Sequence, residues 1–368
     1  MRICFDYQIF SFQQYGGVSR YIFEIANHMA GMVGQDVRIF APLYVNEYFH
    51  NSNKVRPTGI KISPSHRLSR LIKSVNLTTA HLMIKPRRNV DIFHETYYSL
   101  SDFCPSSAKR LITVYDMIHE KFADNFPGGD KMLRIKAYAV KRADHVICIS
   151  QNTQRDLVEI MGVPEEKTSV VYLGHSIGSK ESESKPAVIT NPYILYVGRR
   201  EGYKNFEKLL HAYADSSLLK NEFNIVCFGG GGFSTRESGL MQSLNLSRTR
   251  VIHMSGGDDL LGGLFASAAL FVYPSLYEGF GLSPLEAMAF GCPVVCANSS
   301  CLPEVVGDAA ELFDPADAYD MRMAIEKVVL SPELASLLAE RGRERIKLYS
   351  WEKCARETLK VYQKVLQG

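Results

Sequence analysis

No CxxC pair occurs in this 368-residue chain, and its eight cysteines are too sparse for a disulfide scaffold. Cys292, Cys296 and Cys301 alone come close together, and Cys296 sits in the apolar run PVVCA, so buried free thiols are expected rather than a zinc site. No apolar run reaches the ~20 residues needed to span a bilayer. The longest, 260–274, is broken by Gly262, Gly263 and Ser267. The opening MRICFDY shows no basic segment followed by an apolar one, so no export signal and a cytoplasmic location are expected. A strong charge excess is missing too: the net charge is +3, too small and too uneven for a nucleic-acid surface. With 46% apolar and 22% charged residues, disordered, fibrous and coiled-coil classes are excluded.

One absence is local. No acid occurs from residue 48 to residue 90, while nine Lys and Arg lie between residues 54 and 88. Residues 1–180 carry 23 basic against 16 acidic side chains, and the remainder carries 19 against 23. Within 67–88, Leu68, Leu71, Ile72 and Val75 recur at helical spacing among Arg67, Arg70 and Lys73, with Arg87 and Arg88 just beyond. That pattern reads either as a helix buried on one side with solvated cations, or as a basic amphipathic face resting on anionic lipid.

What is present is alternation. Short β-branched runs at 2–6, 36–41, 90–94, 111–115, 145–150 and 169–173 read as strands, and a second series follows at 193–198, 224–229, 250–254, 270–274 and 293–297. Apolar on both faces, they suit a parallel sheet covered by helices. Helical periods lie between them, at 18–32, 131–142, 204–219 and 284–290. The Ser/Glu/Lys-rich stretch 176–192 breaks the alternation and reads as a linker. Two doubly wound α/β domains are expected, 1–175 and 193–350, with a last helix at 351–368. Ligands of such sheets sit beyond the carboxyl ends of the strands.

At 273–315 a strand leads into a glycine-bearing loop and then a helix. Gly279 and Gly281 permit a tight turn, and Ser283, Pro284 and Glu286 look like an N-cap, first helical residue and capping-box partner. Such a start gathers free N–H groups and suits an anion. The capping box alone also accounts for Glu286. Upstream, Arg199 and Lys204 follow a strand that ends at Gly198 and could meet a departing diphosphate. Arg200 reads as a solvated surface charge, and FGGGGF (228–233) as a flexible crossing loop.

Glu278-x7-Glu286, within EGFGLSPLEAMAFGCPVV and followed by LPEVVGDAAELFDPAD, resembles the signature of glycosyltransferase family 4. The segment YILYVGRREGYKNFEKLLHAY and the double glycine of QQYGGVSRYIFEIANHM are similar to that family as well. The resemblance spans nearly the whole chain. It implies the GT-B fold, two Rossmann-like domains facing across a cleft, and a retaining hexosyltransferase that needs no metal or other cofactor. It also implies roles. Glu278 would contact the donor sugar and Glu286 the ribose hydroxyls, with backbone amides around Phe280, Gly281 and Leu282 at the sugar and diphosphate. Gly16 and Gly17 would cover the diphosphate, and Asp116 would face the sugar, although Tyr115 stands where relatives commonly carry histidine. His94 is a candidate acceptor contact, and His119 an acceptor-side or structural residue. The last helix is expected to cross back to the first domain. A nucleotide sugar, first mannose from its guanosine diphosphate, would be the donor, and a glycan or polyprenyl-linked hydroxyl the acceptor. Bacterial surface polysaccharide synthesis at the inner membrane's cytoplasmic face would be the setting. A sugar-nucleotide epimerase of the same fold and a non-catalytic sugar-binding protein are the alternatives.

Overall fold

The computed structural model describes residues 1–52, 54–63, 69–126, 129–175, 189, 191–200 and 202–368. Most of the expected linker, together with Arg67 and Leu68, lies outside the described residues. Two compact units result: Met1–Gly174 with Ser350–Gly368, and His175–Tyr349.

The first unit is built on six parallel strands, β1 (Arg2–Phe5), β2 (Asp36–Ile39), β3 (Ile92–Glu95), β4 (Lys109–Val114), β5 (His145–Cys148) and β6 (Thr168–Val170). Their order in the sheet is β2-β1-β3-β4-β5-β6. The second unit holds β7 (Tyr193–Val197), β8 (Asn224–Phe228), β9 (Val251–Met254), β10 (Leu270–Tyr273), β11 (Val294–Ala297) and β12 (Ala310–Phe313), in the order β9-β8-β7-β10-β11-β12. All pairings are parallel, as the continuously apolar runs require. β3, β5, β8 and β10 are buried along their whole length. β12 was not expected as a strand. It lies at a sheet edge, three of its four residues are half-exposed, and Glu311 interrupts its pattern.

Strand order reverses once in each sheet: between β1 and β3 in the first, and between β7 and β10 in the second. At such a point the two connections leave in opposite directions, so a crevice opens at the carboxyl ends of the two strands. These two crevices are where side chains can meet a ligand.

Two helical expectations need correction. The 204–219 period is two helices, Phe206–Ala214 and Ser217–Glu222, because Ser216 stops to cap the second by accepting from the Leu219 N–H at 3.0 Å. The helix expected from residue 284 spans Leu282–Ala289, with Gly281 and not Ser283 at its cap.

The helix Trp351–Gln367 belongs to the first unit and packs along the helix Gly17–Ala30. It also corrects the reading of His94. That ring is fully buried, Nδ1 lies 2.6 Å from the Tyr362 hydroxyl, and Nε2 lies 3.0 Å from the Thr113 hydroxyl. His94 therefore joins β3 to the last helix and has no surface left for an acceptor.

Burial lowers the His94 pKa from 6.5 to about 3, so the folded state binds fewer protons than the unfolded one below pH 6.5. The stability it supports is complete above 6.5 and is lost as pH falls. About 2 kcal/mol of the loss lies between pH 6.5 and about pH 5. His145, lowered to about 4 by burial, acts in the same direction, whereas the raised carboxyls of Asp6 and Glu95 act oppositely. The difference between wild type and His94→Gln isolates one group. Urea denaturation at pH 7 and pH 5 is expected to show a shallower pH dependence in the variant.

Candidate functional site

The chain leaves β7 through Gly198, whose φ of 121° lies outside the range comfortable for other residues. Arg199 follows and is exposed. Lys204 ends a short 3-10 turn, Gly202–Lys204, and Asn205 then enters the left-handed region at φ 60°. The Asn205 amide donates to the Pro274 carbonyl at 3.0 Å and to the Pro315 carbonyl at 2.8 Å, tying this loop to the end of β10. The Leu276 N–H donates to the Tyr203 carbonyl at 2.7 Å and completes the tie.

Opposite stands the loop after β10. Glu278 is buried, and its Oε1 accepts from Lys204 Nζ at 2.6 Å. The turn 299–301 holds Glu278 from behind. Ser300, at φ 49°, accepts from the Glu278 N–H at 3.0 Å, and the Cys301 thiol donates to its carbonyl at 3.2 Å. The Lys204 ammonium also lies 5.2 Å and 5.6 Å from the ring centres of Tyr203 and Tyr273. Two residues singled out separately in the sequence thus form one ion pair at the reversal of the second sheet.

The helix Leu282–Ala289 starts beside this pair. Gly281 turns the chain at φ 96°, and a Cβ there would meet the Leu302 side chain at 2.8 Å. The cap position is Gly281 and Ser283 lies inside the helix, so the expected capping box from Ser283 is not formed, and Glu286 is half-exposed one turn into the helix. Phe280 turns inward and packs edge-on against Tyr349, while Leu282 stays half-exposed.

Arg200 is the clearest departure from expectation. It is buried, not solvated. Its Nε donates to Glu237 at 2.6 Å, and its other nitrogens donate to the carbonyls of Gly229, Gly231 and Gly232 at 2.8–3.0 Å. Gly229, Gly230 and Gly231 all have φ between 70° and 81°, and this turn brings the carbonyls of Gly229, Gly231 and Gly232 onto the planar guanidinium fork. The glycine run is therefore a loop held by Arg200 at three carbonyls and not a loose crossing. Its sequence signal was an arginine next to a strand end with a glycine run at the end of the neighbouring strand.

In the first unit the reversal lies between β1 and β3. Asp6, fully buried, accepts from the Gln8 N–H at 3.1 Å, the Gln8 amide at 2.9 Å, the Thr96 N–H at 3.2 Å and the Thr96 hydroxyl. Burial raises its pKa against the pull of these bonds. The Tyr115 hydroxyl donates to the Thr96 carbonyl at 3.2 Å. Sequence reasoning passed over Asp6 and Thr96, although both stand at strand ends. Gly16 and Gly17 begin the helix Gly17–Ala30, with the Gly16 N–H donating to the Tyr48 hydroxyl at 3.3 Å. A side chain at Gly16 would strike Gln13, whose own side chain accepts from the Ser19 N–H. Asp116 is half-exposed past β4 and accepts from the Ile118 N–H at 3.1 Å, with the buried Lys136 ammonium on its carbonyl at 3.0 Å. His119 packs on Phe126 at 4.4 Å between ring centres. Among the described residues no group of three or more His, Cys, Asp or Glu could hold a metal ion.

The glycosyl transferases group 1 model matches residues 179–345, and the glycosyltransferase family 4 model matches residues 15–177. The chain belongs to the family 4 glycosyltransferases. It is 27% identical to the O-antigen chain mannosyltransferase B of Escherichia coli over 94% of this chain and 95% of that one. It is also 30% identical to the MMP alpha-(1->4)-mannosyltransferase of Mycolicibacterium hassiacum over 61% of this chain, a match that spans 55% of that relative. The fold is shared with the Anabaena protein HepE in complex with UDP-glucose, at a TM-score of 0.73 and 20% identity, covering 98% of this chain and 100% of that one. As a family 4 glycosyltransferase the protein is a hexosyltransferase built on two Rossmann-like sheets, and the Lys204–Glu278 pair lies in its group 1 half.

Within this glycosyltransferase, removing Arg200 would leave Glu237 and three glycine carbonyls without their donor. Breaking a buried pair from one side costs about 3–5 kcal/mol. Arg200→Met is expected to lower the stability of the second unit by that order, measured by urea denaturation, while Arg199→Met leaves it within ~0.5 kcal/mol.

Proposed function

We propose that this enzyme transfers mannose, with retention of configuration, from a nucleotide sugar to a hydroxyl of a glycan or polyprenyl-linked acceptor during bacterial surface polysaccharide synthesis. The observation that carries the reading is the Lys204–Glu278 ion pair, set at the reversal of the second sheet beside the start of the helix Leu282–Ala289. The names of the two mannosyltransferase relatives favour mannose, and HepE's UDP-glucose favours a nucleotide-linked donor.

In this reading the donor diphosphate takes Lys204 from Glu278, and Glu278 turns to the sugar hydroxyls. A cation about 4 Å from the departing phosphate lowers its energy by about 4 kcal/mol at an effective dielectric near 20, before desolvation. Arg199, exposed on the same loop, adds a second cation, so the departing charge needs no metal. Amides around Phe280, Gly281 and Leu282 receive sugar and diphosphate oxygens, and Glu286 accepts from the ribose hydroxyls. In the first unit Gly17, and Gly16 on giving up its bond to the Tyr48 hydroxyl, offer backbone N–H groups to the diphosphate, and Asp116 a carboxylate to the sugar. The helix Ser69–Met83, with Leu71, Val75, Leu82 and Met83 exposed, gives the enzyme a peripheral contact with anionic membrane at its cytoplasmic face.

Glu286→Ala and Lys204→Ala are both expected to reduce transfer at least a hundredfold, the first with unchanged melting and the second with lowered melting, because it leaves the buried Glu278 without its cation. The first should weaken donor binding, and the second should chiefly lower turnover. A panel of nucleotide sugars with mass detection provides the measurement. Near-normal turnover in both variants, or isomerised sugar in place of transfer, overturns the reading.

Transfer is also expected to persist after exhaustive chelation. Loss of activity in chelator that magnesium or manganese restores would show that Arg199 and Lys204 do not suffice for the leaving group.

A further inference from the structure

We propose that a pocket on the edge of the first sheet binds a phosphate-bearing anion, at a site separate from the donor crevice. β1 and β2 pair in parallel with Arg2 opposite Asp36 and Cys4 opposite Arg38. Alternation along the strands puts these four side chains on one face. The segment that follows the helix Ser69–Met83 passes over that face and encloses a cavity of about 280 Å³, into which Arg2, Arg38, Arg87, Arg88 and the Asn89 amide contribute.

The cations are held in place. Arg38 makes a two-pronged contact with Asp36, at 3.1 Å through Nε and 2.9 Å through Nη2. Arg2 is fixed by Asp91 at 3.0 Å. Arg87 donates from Nε to the Met83 carbonyl at 2.9 Å and lies over the Phe40 ring at 5.3 Å, which leaves the outer edge of its fork for a ligand. Arg88 is exposed at the rim and has no acidic partner among the described residues. Four guanidinium groups against Asp36 and Asp91 leave an excess of two positive charges around one small concavity. No acid between residues 48 and 90 offsets it.

A tetrahedral oxyanion suits this geometry because it accepts one fork from each of two arginines at once. A nucleic-acid track does not, since the cations surround a single cavity and form no row. Two sources share the chemistry: the headgroup phosphate of an anionic lipid and a free phosphate in solution. The lipid source is favoured by the exposed Leu71, Val75 and Leu82, which share one helix face and lead along it toward the pocket. The phosphate site does not depend on the transferase reading, and donor hydrolysis serves as the control for that reading.

The test titrates inorganic phosphate into the full chain at low salt and floats the protein with vesicles of phosphatidylglycerol and phosphatidylcholine, or of phosphatidylcholine alone. Wild type is expected to bind phosphate and to float only with the anionic vesicles. Arg38→Gln with Arg88→Gln is expected to weaken phosphate binding at least tenfold and to reduce flotation, with donor hydrolysis and melting unchanged. Leu71→Ser with Leu82→Ser should retain phosphate binding and lose flotation, which identifies lipid as the source. Phosphate binding by a wild type that does not float supports the site with a soluble anion. The proposal is overturned if wild type binds no phosphate, or if the double arginine variant binds it as well as wild type does. Flotation in either of those cases would leave the membrane contact standing without this pocket.

Discussion

Each sheet in this enzyme grows outward from an early strand and then resumes on that strand's other side, and this reversal decides where chemistry can occur. At every other position along the sheet, successive connections pack against one another and fill the space above the strand ends. At the reversal they diverge, and backbone ends there point into an open crevice. Both crevices are lined by charged or hydroxyl side chains held from several directions: Lys204 and Glu278 in one, Asp6 and Thr96 in the other. An open end with fixed polar groups is what a polar ligand needs, because the cost of ordering those groups is met during folding.

Holding them there depends on residues far from any reacting atom. Arg200 fastens the glycine loop beside β7, Asn205 fastens the Lys204 loop to the end of β10, and Ser300 with Cys301 fastens Glu278. Three of these anchors rest on unusual backbone: the glycine run, Asn205 and Ser300 all have positive φ. Strain of order 1–3 kcal/mol at a non-glycine position persists only where the surroundings over-determine it. Here the over-determination is visible as paired hydrogen bonds. The first unit carries a comparable cost in Glu95, which burial pushes up to about 7 although Arg142 lies 2.7 Å away and Arg110 3.7 Å away.

The alternation of strands and helices was legible because parallel strands buried on both faces write continuous apolar runs. β12 was not, since an edge strand half-open to water and interrupted by Glu311 leaves no such run. The loop ahead of the helix Leu282–Ala289 was legible through its spacing of Glu278, Gly281 and Glu286, and Lys204 through its place after a strand. The meeting of Lys204 with Glu278 was not, because 74 residues separate them and only the sheet order brings them together. His94 misled for a related reason. A histidine at a strand end looks available until the helix Trp351–Gln367 returns from the far end of the chain and closes over it. Arg200 misled because a guanidinium beside another arginine looks solvated when its acceptors, three carbonyls of a glycine run, have no side-chain signature.

The pairing of Lys204 with Glu278 has a consequence for a cycle in which ligands come and go. A lysine facing water alone would sample many rotamers, and a carboxylate buried alone would take up a proton. Paired at 2.6 Å and only 19% and 10% exposed, each holds the other in place. An incoming diphosphate carries more charge than one carboxylate and can take the ammonium. In the proposed reading Glu278 is then an acceptor without a partner, beside whatever hydroxyls the same ligand brings. On that reading the exchange makes recognition of the two halves of a nucleotide sugar interdependent: a diphosphate without a sugar strands Glu278, and a sugar without a diphosphate cannot displace Glu278 from Lys204. Under the proposed function, one ion pair set where the strand order turns back is thereby a physical basis for selecting the intact donor over its fragments.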